Sequence, residues 1–279
     1  METVLSKAAM KDFAEHLRAE ERSKATIEKY LRDLEAFFAF LGEKEITKER
    51  ILEYKGSLLS KYVVTSANSM IAAINAFFRF LGRHELCVKQ YKIQKSAFVA
   101  EEKELSREEY VRLVETARCK KNERLSLVLQ TICGSGIRVS ELQYITVEAV
   151  EKGEAIVNCK GKNRRIFIIP ALRKQLLEYI RKRKIRAGAV FTTKTGKALS
   201  RHSIWREMKA LCKDAGVASS KVFPHNLRHL FARTFYSIEK DIAKLADILG
   251  HSSINTTRIY IVTTANEHKR KMEHLRLIV

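Results

Sequence analysis

Apolar side chains recur at the spacing of amphipathic helices through most of the first 95 residues. In the strongest stretch, Ser23 or Thr26 can cap the start of a helix, and Gly42 suits its end. The four stretches with this pattern are 5–19, 27–41, 47–59 and 66–81. The spacing therefore predicts four helices that pack as a small bundle over residues 1–95. Only two of the 279 residues are proline, which favours long helices.

The apolar periodicity lapses near residues 89–103, and we place an interdomain linker at 96–103. Ser106, with Glu109 three residues later, forms a capping-box pattern that opens a second domain, 104–279. Short β-like runs flank a turn at Gly161–Asn163 and predict a hairpin, and most of the chain after Leu172 has helical patterning. The predicted fold class is mainly α: a four-helix bundle followed by a mixed α/β domain with a small β-sheet.

Positive charge is concentrated in the second part of the chain. The net charge is +21, of which residues 1–95 carry +4 and residues 96–279 carry +17. Residues 160–186 hold eleven basic side chains and one acid, Glu178. A surface that serves only solubility has mixed charge, so this single-sign cluster predicts a polyanionic partner such as nucleic acid. Charge alone does not indicate sequence specificity or catalysis.

The sequence argues against a membrane-spanning protein, an exported protein and a cysteine-ligated metal site. The longest uncharged stretch, 62–78, contains five Ser, Thr or Asn residues and does not resemble a membrane span. Residues 1–13 have no apolar signal-peptide core. The five cysteines show no metal-ligand spacing, and we interpret them as reduced thiols of a cytoplasmic protein.

Two basic residues lie in settings that suit anion binding. Arg138 in "GSGIRVSEL" follows two glycines at a helix start, where the backbone can approach an anion; pairing with Glu141 explains it equally well. Lys160 in "CKGKNRR" lies on a hairpin turn. It is either a solvated basic residue or a lysine held against a phosphate.

Four further residues follow in the last quarter of the chain. In "PHNLRH", His225 and Arg228 share one helical face, as phosphate chemistry would need, although a capping His and a surface Arg fit the same pattern. His251 comes directly after Gly250, where it can satisfy terminal helix carbonyls. Tyr260 nine residues later is, taken alone, a typical half-buried packing residue.

Taken together and in this order, the motifs resemble those of the tyrosine recombinase (phage integrase) family, in particular its small Xer-type members. The resemblance covers nearly the whole chain. It rests on "TIEKYLRDLEAFFAFL", "GSGIRVSEL", "CKGKNRRIFIIP", "PHNLRH" and "LGHSSINTTRIY". Ser135 and Ile137 replace the commoner Thr and Leu beside Arg138, and neither change removes a functional group.

The resemblance implies a SAM-like core-binding bundle and a catalytic domain that cleaves DNA through a 3′-phosphotyrosyl intermediate. Tyr260 would be the nucleophile, and Arg138 and Arg228 would stabilise the phosphorane without a metal. Lys160 would protonate the departing 5′-oxygen. His225 would accept the tyrosine proton, His251 would donate a hydrogen bond to phosphate, and Glu141 would orient Arg138. No cofactor is implied.

The implied partner is double-stranded DNA. A homotetramer would bind two duplexes, and its subunits would exchange their C-terminal tails, from about residue 264 to 279. A partner recombinase or a directionality factor also fits the family pattern, and the expected location is cytoplasmic, on the nucleoid. Two alternatives remain: a type IB topoisomerase-like relaxing enzyme, and a non-catalytic DNA-binding regulator. The Xer-like bundle argues against the first, and the intact set of catalytic residues argues against the second. The biological role stays open between integration or excision of a mobile element, chromosome-dimer resolution and DNA inversion.

Overall fold

The computed structural model describes residues 7–42, 45–93, 104–159, 162–193, 195–251 and 253–260. The chain forms two compact units, residues 1–95 and 96–279, each with its own hydrophobic core. The first is a helical bundle, and the second is helical apart from one two-stranded sheet. The predicted fold class is therefore confirmed. No helix in the described part of the chain is long and apolar enough to cross a membrane.

The first unit contains the four predicted helices. They are α1 (Lys7–Ala19), α2 (Lys24–Leu41), α3 (Lys48–Lys61) and α4 (Val64–Phe80). Ser23 caps α2 by accepting a hydrogen bond from the Thr26 amide, so of the two candidate caps Ser23 is the one used. Gly42 ends α2 with a φ of +62°, as predicted. The apolar faces of the helices meet in an aromatic core around Phe37, Phe77 and Phe78.

Two buried asparagines on α4 hold the chain that follows the bundle. The Asn75 side chain donates to the Val88 carbonyl at 2.8 Å and accepts from the Val88 amide at 2.9 Å. Asn68, two turns earlier, does the same with Tyr91 at 2.9 and 2.8 Å. The side-chain carboxamide of each asparagine thus supplies the donor and the acceptor that a neighbouring strand would supply in a sheet.

Asn75→Ala should release Val88 and leave Tyr91 held. The substitution removes both hydrogen bonds and leaves buried backbone groups unpaired, which costs roughly 1–3 kcal/mol for each group. Hydrogen exchange on the full chain should show the Val88 amide deprotected, while the Tyr91 amide, bonded to Asn68, serves as the internal control. Equal protection of Val88 in both proteins would contradict this account.

The second unit is built around α6. Its helices are α5 (Arg107–Cys119), α6 (Glu123–Ser135), α7 (Val147–Lys152), α8 (Pro170–Arg183), α9 (Arg201–Leu211), α10 (Pro224–Glu239), α11 (Ile242–Leu249) and α12 (Ile254–Arg258). The predicted capping box at Ser106 and Glu109 opens α5. The α6 helix packs against α5, α8, α9 and α10. Its buried residues are five apolar side chains together with Ser126, Thr131 and Ser135. The helix that follows Arg138, which the pattern placed at about 140–144, is a 3₁₀ helix over Val139–Tyr144.

The two strands form the predicted hairpin. Strand β1 (Glu154–Cys159) pairs antiparallel with β2 (Lys162–Phe167), and the last ladder pair is Cys159 with Lys162. Side chains alternate between the two faces of the hairpin. The inward face carries Ala155, Val157, Arg164 and Ile166, and the outward face carries Ile156, Arg165 and Phe167.

Candidate active site

The predicted site residues that the structure describes lie around the C-terminal end of α11. Gly250 adopts φ +63° and turns the chain, and the amides of Gly250 and His251 bond back to carbonyls of Ala246 and Asp247. The next three carbonyls, of Ile248, Leu249 and Gly250, accept hydrogen bonds from arginines. Because these carbonyls lie at the negative end of the helix dipole, this end attracts cations.

Three arginines from distant parts of the chain converge on these carbonyls. Arg228 Nη2 lies 2.7 Å from the Leu249 oxygen, and Arg138 Nη2 lies 3.5 Å from the Gly250 oxygen. Arg164 Nη1 lies 3.2 Å from the Ile248 oxygen and also bonds the Leu249 oxygen. Arg138 and Arg228 were predicted site residues, whereas Arg164 was not.

Glu141 links two of these arginines. Its Oε1 accepts from Arg138 Nη1 at 2.9 Å, and its Oε2 accepts from the Arg138 amide at 2.9 Å and from Arg164 Nη2 at 2.5 Å. The Glu141 side chain is 5% exposed, but the Arg138 side chain is 40% exposed. Glu141 therefore holds Arg138 by hydrogen bonds to its side chain and its amide, while part of the Arg138 side chain remains open to solvent.

Arg228 is buried and bonded to uncharged acceptors. Besides Leu249, Nη1 donates to the Gly136 carbonyl at 2.5 Å, and Nη2 lies 3.0 Å from His251 Nε2. Burial, followed by the charge of Arg138, lowers the pKa of Arg228 to about 10. The guanidinium thus remains charged at neutral pH, and these carbonyl and imidazole acceptors carry no opposite charge that would neutralise it.

The same contacts fix the tautomer of His251. Because a guanidinium can only donate, Nε2 must accept, and the proton lies on Nδ1, which is 2.8 Å from Thr257 Oγ1. Burial and the charge of Arg228 lower the pKa of His251 to about 4. In this arrangement His251 is a neutral residue that holds Arg228; a hydrogen bond from Nε2 to phosphate requires the other tautomer or the protonated ring.

Tyr260 lies among three imidazole rings. Its ring centroid is 4.3 Å from that of His229, 5.5 Å from His251 and 5.6 Å from His225, and Tyr260 is 6% exposed. Burial, followed by nearby positive charge, lowers the pKa of His225, and burial lowers that of His229 to about 4. All three rings are therefore neutral at pH 7.

His229 and Arg164 are the residues that sequence reasoning missed. His229 lies four residues after His225, so the two imidazoles share one face of α10, and their ring centroids are 4.6 Å apart. That i,i+4 spacing was the available signal, and the Tyr260 ring lies against both imidazoles. Arg164 was one of eleven basic residues in a single stretch. The only available signal was strand alternation, which places Arg164 on the same face as Ile166.

Three predicted elements lie outside the described residues. They are the linker 96–103, Lys160 between β1 and β2, and the C-terminal tail 264–279. Within the described ranges, no group of three or more His, Cys, Asp or Glu side chains could hold a metal ion.

Comparison with known proteins shows the family to which this chain belongs. Residues 103–267 match the phage integrase family, and residues 10–85 match the phage integrase N-terminal SAM-like domain. The chain belongs to the phage integrase family. It is 32% identical to tyrosine recombinase XerA of Pyrococcus furiosus, covering 99% of this chain and 97% of that protein. It is 28% identical to tyrosine recombinase XerD of Oceanobacillus iheyensis, covering 92% and 94%.

Solved structures give the same assignment. The crystal structure of XerA recombinase has a TM-score of 0.55 at 26% identity, covering 98% of this chain and 99% of that one. A lambda integrase dimer bound to a COC′ core site has a TM-score of 0.73 at 17% identity, covering 92% and 95%, and shows the shared fold. This integrase-family chain is a tyrosine site-specific recombinase.

Gly136→Ala should damage the site, and Gly134→Ala should not. Gly136 has φ +63°, and an added Cβ would lie 2.5 Å from Phe231 Cδ1, so strain and overlap should together destabilise the fold by roughly 1–3 kcal/mol or more. The nearest atom to a Cβ at Gly134 would be 4.0 Å away, an ordinary contact. Urea unfolding of both variants tests this, and equal midpoints would refute it.

The second unit should lose stability as the pH falls from about 6.5 to about 4. His229 and His251 have folded pKa values of about 4, below the value near 6.5 of an unfolded histidine, so in this range the unfolded chain binds more protons. Thermal melts should therefore give a lower midpoint at pH 5 than at pH 7. His229→Gln should reduce this difference, whereas His202→Gln, at an exposed histidine on α9, should not. A pH difference unchanged by His229→Gln would contradict the assignment.

Proposed function

We propose that this chain cleaves and rejoins duplex DNA with Tyr260 as the nucleophile. The tyrosine oxygen forms a bond to the scissile phosphorus, and the bond from phosphorus to the 5′-oxygen breaks. A 5′-hydroxyl of the partner strand then reverses the step, and two rounds pass through a Holliday junction. The observation that supports this most directly is the position of Tyr260, packed against three neutral histidines in the site that contains Arg228.

The two arginines suit the charge that develops on the phosphorane. Arg228 is held by carbonyl and imidazole acceptors, so its positive charge remains available to non-bridging oxygens. Arg138 shares its charge with Glu141 but presents an exposed edge of the guanidinium, where a phosphate can bind in bidentate fashion. In this proposal the two arginines act without a metal ion, and Glu141 and His251 position them.

Proton transfer is divided between His225 and Lys160. The lowered pKa of His225 keeps its ring neutral at pH 7, which is the form that can accept the Tyr260 proton. Lys160, on the hairpin connection, protonates the departing 5′-oxygen. This role is carried over from the family resemblance.

The proposed assembly follows the architecture of the relatives. XerH recombinase has been solved bound to its difH substrate, and a lambda integrase tetramer has been solved on a Holliday junction. We extend this arrangement to the present chain: residues 1–95 as the core-binding domain, 96–103 as the linker and 104–279 as the catalytic domain. Four copies would act on two duplexes and exchange their C-terminal tails, in the cytoplasm and on the nucleoid.

Tyr260→Phe should abolish covalent adducts while duplex affinity stays within about threefold, because one hydroxyl and no charge is lost. The substrate is a nicked duplex whose core sequence the purified protein has selected from a random pool. The matched control is Tyr236→Phe, at a half-buried tyrosine of α10 that should retain adduct formation. A protease-sensitive DNA adduct formed by Tyr260→Phe would show that another residue is the nucleophile.

A further inference from the structure

We propose that Arg164 is a positioning residue that anchors the β1–β2 hairpin to the arginine cluster and so sets where Lys160 can act. This inference rests on the proposed function of Lys160 as the proton donor. It concerns a residue that is not itself expected to touch the scissile phosphate.

Arg164 is a cation with a mostly covered side chain on an otherwise apolar strand face. Its side chain is 10% exposed, and its neighbours on the inward face, Val157 and Ile166, are 1% and 2% exposed. A guanidinium in such a place is destabilising unless its donors are satisfied. The adjacent Arg165 points outward with a side chain that is 70% exposed. The strand thus presents two arginines in opposite environments.

The buried guanidinium joins three separate parts of the second unit. Nη2 donates to Glu141 Oε2 at 2.5 Å, and Nη1 donates to the Ile248 oxygen at 3.2 Å. These contacts tie β2 to the residue that orients Arg138 and to the end of α11 that holds Arg228. A planar fork can reach a carboxylate and main-chain carbonyls at once, whereas a lysine ammonium is a single point of charge.

The backbone at Gly250 leaves room for this side chain. A Cβ built on Gly250 would lie 2.4 Å from Arg164 Cδ and 3.2 Å from its Nε. The stem of Arg164 therefore passes against the bare Cα of the turn that ends α11. Arg164 therefore holds β2 against the end of α11 by van der Waals packing on Gly250 as well as by hydrogen bonds.

The anchor is four residues from Lys160 in the sequence. Arg164 is the third residue of β2, and β2 is paired with β1 up to Cys159, the residue before Lys160. Arg164 is two residues after Lys162, where the ladder ends. At about 3.3 Å per strand residue, the anchor therefore lies about 7 Å from the hairpin connection. Loss of the anchor should let the connection shift, and a shift of about 1 Å in a reacting group can cost on the order of 10²-fold in rate.

The test separates delivery of the proton from binding of the phosphate. In single-turnover cleavage of the selected nicked duplex, Arg164→Lys should slow the reaction by about 10²-fold. Arg164→Met, which suits the apolar face, should do the same. With sulfur in place of the bridging 5′-oxygen, the leaving group departs as a thiolate without a proton, so both variants should recover to within about tenfold of the unaltered protein. Arg165→Lys is the matched control and should be unaffected on either substrate.

The outcomes distinguish the proposed proton-donor role of Lys160 from the proposed positioning role of Arg164. Lys160→Ala should also recover with the sulfur substrate; if it does not, the proton-donor role in the proposed function fails. If Lys160→Ala recovers but the Arg164 variants stay equally slow on both substrates, Arg164 acts on the arginines or the fold and the present inference is wrong. Normal cleavage by both Arg164 variants overturns it as well. Urea midpoints and duplex affinity identify a variant that has merely unfolded, and in that case the other substitution decides.

Discussion

Three guanidinium groups share the carbonyl oxygens at the end of α11, and the geometry of the site depends on this arrangement. A buried arginine needs acceptors, and carboxylates would cancel the charge that a phosphate must meet. Main-chain carbonyls at a helix end satisfy the donors while leaving the net charge in place. Arg228 and Arg164 are held mainly in this way, and the buried carboxylate of Glu141 is shared between Arg164 and Arg138.

The helices α6, α10 and α12 bring the side chains and carbonyls of the site together. The α10 helix carries Arg228 and packs against α6, whose end turns at Gly136 so that the Gly136 carbonyl meets Arg228. Phe231 fills the space beside Gly136, which is why that position has no room for a side chain. The α12 helix returns Thr257 to His251 and places Tyr260 among the imidazole rings. The turns that end these helices and the packing between the helices thus act together to place Arg228 and Tyr260 in the site.

Local spacing predicted features that depend on neighbouring residues, whereas the grouping of distant side chains came only from the family resemblance, which did not include Arg164. The cap at Ser23, the capping box at Ser106 and the hairpin follow from local spacing and are confirmed. Arg164 contacts residues 84 and 85 positions later, which no periodicity encodes. The basic stretch 160–186 was treated as one surface, but Lys182 pairs with Glu123 at the start of α6. That helix is about 20 Å long, so Lys182 and the Gly136 carbonyl lie at opposite ends of it.

Because the acceptors at the end of α11 are backbone atoms, they are insensitive to amino-acid replacement in a way that side-chain acceptors are not. Exchanging Ile248 for another residue that preserves the helix leaves its oxygen where it was. A single-residue insertion or deletion within the eight residues of α11 is different, since it rotates the helix end by about 100° and moves it about 1.5 Å. Over evolutionary time, the identity of these residues can therefore drift while their number stays fixed. In this segment, divergence between relatives should be recorded as substitutions and almost never as gaps.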